Sequence, residues 1–302
     1  MNGIVVLNYN DWRTTTNFVQ RVKSYSSLNH IVVVDNCSSD ESWENLKSLS
    51  DEKISIIKSD ENRGYAAGNN CGIRYLRKKF PEVKNVIISN PDIYVADNDI
   101  KLLLHKLDEG YGMSTGLIHN YNSKHGTKSL ASNFCWRVPR YNDLIWNHLL
   151  LIYKVRRNIF KNSIYINLAD YIDQKCIDTE CVPGCFFTIS MNALDTIGDF
   201  DEDTFLFSEE SILGYRLKNF GYKVCVLPEV EILHEQSTSI NKSIKNSKKK
   251  EQIRLDSECL YLKKYLKKTK FWISIYVFIF WIGFYEKRIY GRVSKGIKHT
   301  CV

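Results

Sequence analysis

Short apolar runs alternate with longer amphipathic stretches along the first ninety residues. Four runs predict strands, at Gly3–Leu7, His30–Val34, Ile54–Ile57 and Val86–Ile88. Each is rich in β-branched residues and too short for an amphipathic helix, which is typical of strands buried on both faces. Three stretches between them predict helices, at Asp11–Ser24, Glu41–Leu49 and Ala66–Lys79. This alternation indicates an α/β fold with a doubly wound, mostly parallel, Rossmann-like sheet.

Three of these strands end in polar or acidic residues. Pro91 cannot donate to a sheet ladder, so the fourth strand has to stop before it. The carboxyl ends of parallel strands share one edge of the sheet, where open α/β sheets bind ligands. An acid at one such end is often only a turn residue, but the convergence of three ends predicts a site. The residues concerned are Asn8, Asp35, Asn36, Asn90 and Asp92.

The glycine patterns of the chain indicate which kinds of ligand site are less favoured. Neither G-x-G-x-x-G after the first strand nor G-x-x-x-x-G-K-[ST] occurs, which disfavours a dehydrogenase or a P-loop enzyme. Gly64 and Gly68 stand at a transition from loop to helix, where small residues permit close approach of backbone to a ligand.

Charge is distributed unevenly along the 302 residues. The net charge is +8, with 44% hydrophobic and 25% charged residues, which is typical of a globular protein. Residues 241–302 hold 16 Lys and Arg against 4 Asp and Glu, a net +12, and the first 240 hold 26 against 30, a net −4. A strongly basic tail on a mildly acidic body indicates contact with an anionic surface.

The tail contains two distinct patterns. Glu251–Lys270 predicts a helix with Leu255, Cys259, Leu262 and Leu266 on one face. The uncharged run Phe271–Tyr285 follows, and eight of its fifteen residues are aromatic. As a helix it would span about 22 Å, short of the ~30 Å hydrocarbon core, so we expect it to lie in a membrane interface. A packed or dimerising helix pair is the alternative.

The nine cysteines are scattered, and no signal peptide precedes Gly3. Reduced thiols in a cytosolic protein are therefore expected. Cys176, Cys181 and Cys185 lie close together, but their spacing matches no paired zinc motif.

Seven segments in order resemble the signatures of family 2 glycosyltransferases. They are VVLNYN (5–10), VVDNCSSD (33–40), NRGYAAGNN (62–70), SNPDI (89–93), VPGCFF (182–187), GDFDEDTFLFSEES (198–211) and YRLKNFGYKVCVLPEVEILH (215–234). The resemblance covers about residues 1–239 and is loose near 120–175. It is greatest to the bacterial rhamnosyltransferase-like branch of polysaccharide assembly. It implies the GT-A fold and an inverting transfer from a nucleotide sugar to a glycan or lipid-linked acceptor.

The resemblance assigns metal and donor binding to the strand ends. Asp92 matches the aspartate that holds Mg²⁺ or Mn²⁺ against the diphosphate, and Asn90 occupies the place of the first acid in D-x-D. His234 matches a residue that helps to bind the metal or the diphosphate, although a histidine at a strand end is often only structural. A divalent ion on oxygen ligands stabilises the charge that a diphosphate leaving group develops.

The nucleotide-binding positions follow from the same comparison. The nucleotide-sugar site comprises Asn8, Asp35, Asn36, Asn62, Gly64, Gly68, Asn69 and Asn90. Asn36 stands where many relatives carry a second Asp that recognises uracil. UDP is therefore less favoured, and dTDP- or GDP-linked donors stay open.

Glu209 and Glu210 fall where the family has an E-D pair, whose second member is the general base. Inversion is a single displacement, so one carboxylate must accept the proton of the attacking hydroxyl. Glu210 is predicted to be that base and Glu209 its alternative. The longer Glu at the second position, and Ile212 where Asp is frequent, depart from the family pattern. An acid at a helix start is also favoured by the helix dipole alone.

These observations predict a catalytic domain over residues 1–240, with a nucleotide-sugar half at about 1–115 and an acceptor half at about 116–240. Residues 241–302 are predicted to form a basic helical tail, and we expect it to contact an anionic membrane from the cytoplasmic side. Most of the three aromatic residues Trp136, Tyr141 and Trp146 are expected to pack in the core, and a platform for a sugar acceptor is the alternative. A nucleotidyltransferase is the rival enzyme, but Leu7–Arg13 lacks its glycine-rich basic loop. A nucleic-acid-binding protein that uses the basic tail is the rival of another class, and we expect no nucleic-acid partner.

Overall fold

The first half of the chain forms four parallel strands, as the pattern predicts. The chain is described by a computed structural model over residues 1–123, 125–149, 164–171, 173–235 and 246–299, with the side chains of the last helix given to residue 289. The strands are β1 (Asn2–Asn8), β2 (His30–Asp35), β3 (Ile54–Lys58) and β4 (Asn85–Ser89). Between them lie α1 (Trp12–Val22), α2 (Ser42–Leu46), a short 3₁₀ helix (Lys47–Leu49) and α3 (Tyr65–Lys79).

The second half adds strands of both directions and four α-helices to the same sheet. In chain order the strands are β5 (Ile93–Tyr94), β6 (Tyr111–Asn122), β7 (Thr127–Leu130), β8 (Ile177–Thr179), β9 (Phe186–Ser190) and β10 (Lys223–Glu235). The helices are α4 (Asp97–Asp108), α5 (Tyr141–His148), α6 (Met191–Ile197) and α7 (Glu209–Asn219), with a 3₁₀ helix at Leu168–Tyr171. Along the chain, α4 lies between β5 and β6, α5 precedes β8, and α6 and α7 follow β9.

The sheet order explains where the site lies. The main path runs β3-β2-β1-β4-β9-β6-β10-β5, with β7 paired to β6 and β8 to β10. The four strands of the first half are mutually parallel, and β1 and β2 pair in a register that sets Asn8 opposite Asp35. β9 then runs antiparallel to β4 and starts beside Ser89. The segment before β9 therefore enters the edge at which β4 ends.

Burial of both sheet faces accounts for the apolar runs. Every residue of β2 and of β4 is buried. Val32 and Val34 pack with α3 on one face, and Ile31 and Val33 pack with α1 and α4 on the other. Strands covered on both faces have no side exposed to solvent, so their sequences are continuously apolar instead of alternating between apolar and polar residues.

Two helices follow the sheet, and their boundaries correct one prediction. They are α8 (Ser247–Lys264) and α9 (Lys270–His299). The predicted helix at Glu251–Lys270 was wrong about its end, because the chain turns between the two helices, where Lys267 adopts a left-handed φ of 53°. The predicted apolar face is confirmed: Leu255 and Leu262 are buried, and Cys259 and Leu266 pack partly against the same cluster.

A buried cluster joins α8 and α9 to α5. Tyr141, Ile145, Tyr276 and Phe280 lie in it with the leucines of α8. The Tyr276 hydroxyl lies 2.6 Å from the Glu258 carboxylate and 2.8 Å from His148 Nε2. Burial raises the pKa of Tyr276 well above its usual value, so the hydroxyl stays protonated and donates to Glu258.

Helix α9, which contains the aromatic run, therefore packs on one side and is exposed on the other. Its large exposed apolar side chains are Phe271, Trp272, Phe278, Ile282, Tyr285 and Ile289. Within the described residues, no helix combines the length and apolarity that crossing a membrane requires. The division of the chain at residue 240 falls in 236–245, outside the described residues, and stays a prediction.

Three aromatic residues predicted to pack do so. Trp136 is buried against Cys181 and Ile164, and Tyr141 is buried in the helical cluster. Trp146 packs partly against the same cluster. The expectation of a packing role is confirmed for all three.

Candidate active site

Asn8 and Asp35 form the first part of the site at the paired ends of β1 and β2. Asn8 Nδ2 donates to Asp35 Oδ1 at 3.0 Å, and Asn8 Oδ1 accepts from the Thr15 hydroxyl at 2.8 Å. Both residues are fully buried. Within the described part of the chain, Asp35 Oδ2 has no hydrogen-bond partner. Because a buried carboxylate oxygen needs a donor, this atom is suited to accept an N–H or hydroxyl from a ligand.

The segment Asn62–Gly64 is fixed to the end of β2 by Asn36. Asn36 Nδ2 donates to Asn62 Oδ1 at 3.1 Å and to the Gly64 carbonyl at 3.2 Å, and Asn62 Oδ1 also accepts from Gly64 N–H. A carboxylate at position 36 has no donor for these acceptors. These two hydrogen bonds therefore explain why an amide rather than a second Asp suits position 36 in this chain.

Glycines bring α3 close to this edge. Gly64 has a φ of +95°, and a Cβ there would lie 1.9 Å from the Phe205 carbonyl oxygen. A Cβ on Gly68 would lie 2.5 Å from Leu7 Cδ1 and 3.2 Å from Asn36 Nδ2. Asn69, which is fully buried, donates to the Tyr65 carbonyl one turn earlier. Both glycines therefore permit close packing against neighbouring protein atoms, and their role in binding the donor stays a prediction.

Asp92 and His234 form the second part of the site. Asp92 is 6% exposed, and His234 Nε2 lies 3.3 Å from Asp92 Oδ1. Burial, the largest influence, lowers the pKa of His234, but hydrogen bonds with Asp92 and Cys185 and the charges of both raise it to about 10. Asn90 N–H donates to the Cys185 carbonyl at 2.8 Å, which places the segment before β9 beside this pair. Neutral imidazoles are common metal ligands in proteins, and imidazolium groups pair with anions.

Glu209 and Glu210 begin α7 and form the third part. Glu210 Oε1 accepts from Gly184 N–H at 3.2 Å, and the Tyr65 hydroxyl donates to the Gly184 carbonyl. Glu209 is buried, and no described residue supplies a hydrogen bond to its Oε1. Glu210 thus contacts the N–H of Gly184, and Tyr65 of α3 contacts its carbonyl.

Burial changes the acidity of this pair. It raises the pKa of Glu209 well above the usual value, and the charge of Glu210 raises it further. Burial also raises the pKa of Glu210, against the hydrogen bond from Gly184 N–H. Burial and both carboxylates hold the pKa of Tyr65 well above its usual value, so Tyr65 is a hydrogen-bond donor. A carboxylate with a raised pKa is a stronger base, which suits proton abstraction near neutral pH.

The segment Gly184–Cys185 lies between the acid pair and the Asp92–His234 pair, which the sequence analysis did not connect. Gly184 contacts Glu210 and Tyr65, and the next residue contacts Asn90 and His234. Tyr65, Gly184 and Cys185 were not predicted as site residues. All three lie inside the segments NRGYAAGNN and VPGCFF, and those motifs were the available signal.

The cysteine spacing does not produce a metal centre. The cysteines of the described residues are free thiols, and those residues contain no group of three or more His, Cys, Asp or Glu placed to hold a metal. Asp92 and His234 would therefore supply two protein ligands, and donor phosphates and water would complete the coordination.

The mixed α/β sheet has the GT-A glycosyltransferase fold. Two solved structures share it. A mannosyltransferase from Pyrobaculum calidifontis, in complex with GDP-Man and Mn²⁺, has a TM-score of 0.56 and 16% identity, over 89% of this chain and 65% of that one. GalNAc-T7 with UDP, GalNAc and Mn²⁺ has a TM-score of 0.58 and 15% identity, over 78% of this chain and 44% of that one. At these identities the likeness shows the fold alone.

The chain belongs to glycosyl transferase family 2, which it matches over residues 3–188. The resemblance noted from the motifs is therefore confirmed. Glu209, Glu210 and His234 lie beyond the matched residues, and their roles depend on the geometry described above.

Three curated relatives are similar to parts of the chain. The low-salt glycan biosynthesis hexosyltransferase Agl10 of Haloferax volcanii is 35% identical over 33% of this chain and 31% of the relative. The rhamnosyltransferase WbbL of Escherichia coli K12 is 24% identical over 57% of this chain and 60% of the relative. The dTDP-rhamnosyl transferase RfbF of Shigella flexneri is 23% identical over 68% of this chain and 59% of the relative. The chain thus matches less than two thirds of the length of each relative.

Proposed function

We propose that this chain is a metal-dependent inverting glycosyltransferase that moves a hexosyl or deoxyhexosyl group from a nucleotide sugar to a lipid-linked or polysaccharide acceptor in bacterial surface glycan synthesis. The observation that carries the proposal is that two sets of ionisable side chains lie beside one segment. His234, which pairs with Asp92, contacts Cys185, and Glu210 accepts a hydrogen bond from Gly184. Metal-assisted departure of a diphosphate and proton abstraction from an acceptor require two such groups close together.

The donor nucleotide binds at the ends of β1 and β2. Asp35 Oδ2 is a buried acceptor suited to a base N–H or a ribose hydroxyl, and the Asn62–Gly64 segment closes the same edge. A dTDP-deoxyhexose is the first donor to test, since Asn36 replaces the acid associated with uracil and two similar relatives carry rhamnosyltransferase names. UDP- and GDP-linked sugars are the alternatives.

A divalent ion fits the donor set at the end of β4. A carboxylate and an imidazole suit Mn²⁺, and a carboxylate with phosphate oxygens and water suits Mg²⁺. Both solved structures that share the fold are complexes with Mn²⁺. When bound, such an ion stabilises the negative charge that develops on the departing diphosphate.

The acid pair supplies the base. Glu210 accepts the acceptor hydroxyl's proton while that oxygen forms its bond to the anomeric carbon and the bond to the diphosphate breaks, which inverts the configuration. Burial raises the pKa of both acids, so each binds a proton more tightly than an exposed carboxylate does. Gly184 N–H orients the base through its hydrogen bond.

Donor binding tests the proposal directly. Calorimetric titration of dTDP, UDP and GDP with Mn²⁺ or Mg²⁺ should show metal-dependent binding of one nucleotide, and Asp92→Asn should abolish that dependence. Asp195→Asn is the matched control, because this acid is exposed and pairs only with Arg77 among the described residues. Equal metal-dependent affinity in the wild type and in Asp92→Asn would overturn the metal role.

The exposed side of α9 is proposed to contact an anionic membrane surface at the cytoplasmic face, where lipid-linked acceptors reside. Its exposed apolar residues lie in a segment of net charge +12, so both an apolar and an electrostatic contribution are available. The two contributions respond differently to salt, because only the electrostatic one is screened.

Vesicle co-sedimentation separates this surface from other exposed aromatics. Phe278 is 68% exposed on α9, and Phe220, which is 59% exposed, follows α7. Phe278→Ser should reduce binding to anionic vesicles several-fold at high salt, and Phe220→Ser should not. Binding to RNA but not to vesicles, or dimerisation lost in Phe278→Ser, would contradict the membrane assignment.

A further inference from the structure

The loop that precedes the acid pair adopts an unusual backbone conformation. Phe207 and Ser208 have φ values of 74° and 67°, and Glu209 follows directly as the first residue of α7. Side chains other than glycine disfavour the left-handed region, and two such residues in succession persist only where surrounding contacts hold them. The position of the acid pair therefore depends on what fixes the loop at residues 198–208.

Helix α3 holds one side of this loop. Tyr65 N–H donates to the Phe205 carbonyl at 2.9 Å. The Asn70 amide donates to the Phe200 carbonyl and accepts from Phe200 N–H, both at 2.9 Å. Arg74 forms an ion pair with Glu202 at 2.5 Å. The nucleotide-side helix thus contacts the first part of the loop and its middle, but not Phe207 and Ser208 through any of these bonds.

Helix α8 of the C-terminal extension holds the other side. The Ser257 hydroxyl, which is buried, donates to the Leu206 carbonyl at 2.9 Å. That carbonyl immediately precedes the two left-handed residues. The guanidinium of Arg254, one turn earlier in α8, lies 4.8 Å from the centre of the Phe207 ring.

The end of α8 binds the start of the loop through Asp201. The hydroxyl of Tyr265 donates to Asp201 Oδ2 at 2.5 Å, and Lys264 Nζ lies 2.8 Å from the same carboxylate and 2.8 Å from Asp203. The Asp201 side chain is only 6% exposed, so these contacts are shielded from solvent. Tyr265 and Lys264 hold the pKa of Asp201 below its usual value against the effect of burial, which keeps the carboxylate charged.

We propose that α8 and Tyr265, which directly follows it, form a positioning element of the active site: Ser257 and Tyr265 hold the 198–208 loop in the conformation that places Glu210 against Gly184. The C-terminal extension is then part of the catalytic apparatus as well as a surface for binding. This inference rests on the proposed role of Glu210 as the base. Neither Ser257 nor Tyr265 touches the reacting atoms, so both act through the loop.

The test compares kcat with donor binding in the full-length chain. The double variant Ser257→Ala/Tyr265→Phe removes two hydroxyls that contact the loop. We expect kcat for nucleotide release to fall about tenfold to a hundredfold, since small misplacements of a catalytic group cost rates of that order. Donor KM and calorimetric affinity should change less than about threefold, because Asp35 and Asp92 are not contacted by either hydroxyl.

Tyr141→Phe is the matched control. Its hydroxyl donates to the Trp272 carbonyl at 2.8 Å, within the helical cluster and away from the loop. It should lower the thermal midpoint to a degree comparable with Tyr265→Phe and leave kcat within about twofold. If the double variant fails to fold, the two single variants are measured in the same way, and each should lower kcat severalfold.

The outcomes distinguish this inference from the proposed function. A double variant with the kcat of Tyr141→Phe would overturn the positioning role even if Glu210→Gln is inactive. If Glu210→Gln retains wild-type kcat, the base assignment fails, and the positioning of Glu210 fails with it. Loss of donor affinity in parallel with kcat would show that α8 supports the whole site rather than the loop, which also contradicts the inference.

Discussion

Replacing Glu210 by Gln removes the proposed proton acceptor and preserves the contact that orients it. The amide oxygen of Gln can still accept from Gly184 N–H, which lies 3.2 Å from Glu210 Oε1. The substitution therefore isolates the loss of basicity. General-base catalysis contributes about 10²–10⁴ in rate, or about 2.7–5.4 kcal/mol at 1.36 kcal/mol for each factor of ten. We expect kcat to fall by that factor with donor affinity unchanged within about twofold.

The assay is nucleotide release from the donor in the presence of acceptor, together with calorimetry of the donor on the same preparation. Glu209→Gln is the internal comparison, since both variants replace one carboxylate of the pair by an amide. Wild-type kcat in Glu210→Gln would refute the reasoning. A loss confined to Glu209→Gln would show that the neighbouring residue is the base.

Three further results are expected. Because burial raises the pKa of both members of the acid pair, kcat should rise with pH through an apparent pKa above the usual carboxyl range, and a pH–rate profile whose acid limb lies within that range would contradict this. Gly64→Ala should destabilise the fold by about 2 kcal/mol or more in denaturant unfolding, since its φ is +95° and the new Cβ would meet the Phe205 carbonyl; unchanged stability would refute the described loop geometry. Asn36→Asp should lower the free energy of unfolding by about 1–3 kcal/mol and weaken the binding of every nucleotide, because it removes the donor to Asn62 and to the Gly64 carbonyl. A gain in UDP affinity would show instead that residue 36 contacts the base.

The sequence allowed the parallel half of the sheet and its polar edge to be predicted because both follow from local pattern. Continuous apolar runs such as His30–Val34 exist only because both faces of those strands are covered, and Pro91 stops β4 by its own chemistry. The positions of Asp35 and Asp92 at the edge follow from these elements alone.

The rest depends on contacts between distant residues. β9 runs antiparallel between β4 and β6, and no local pattern specifies that pairing. The hydroxyl of Tyr65 meets Gly184 across 119 positions in the chain, and Ser257 meets Leu206 across 51. The helix end at Lys264 was mispredicted because a left-handed residue, Lys267, ends a stretch whose composition favours helix.

The central claim is metal-dependent transfer from a nucleotide sugar. The most direct measurement is nucleotide release from dTDP-, UDP- and GDP-sugars by the full-length chain, with Mn²⁺ or Mg²⁺ and with chelator, for the wild type and for Asp92→Asn. The account predicts turnover of one donor class by the wild type with metal, and a loss to the background rate with chelator and in Asp92→Asn. Turnover that is equal with metal and with chelator, or that persists in Asp92→Asn, would contradict it.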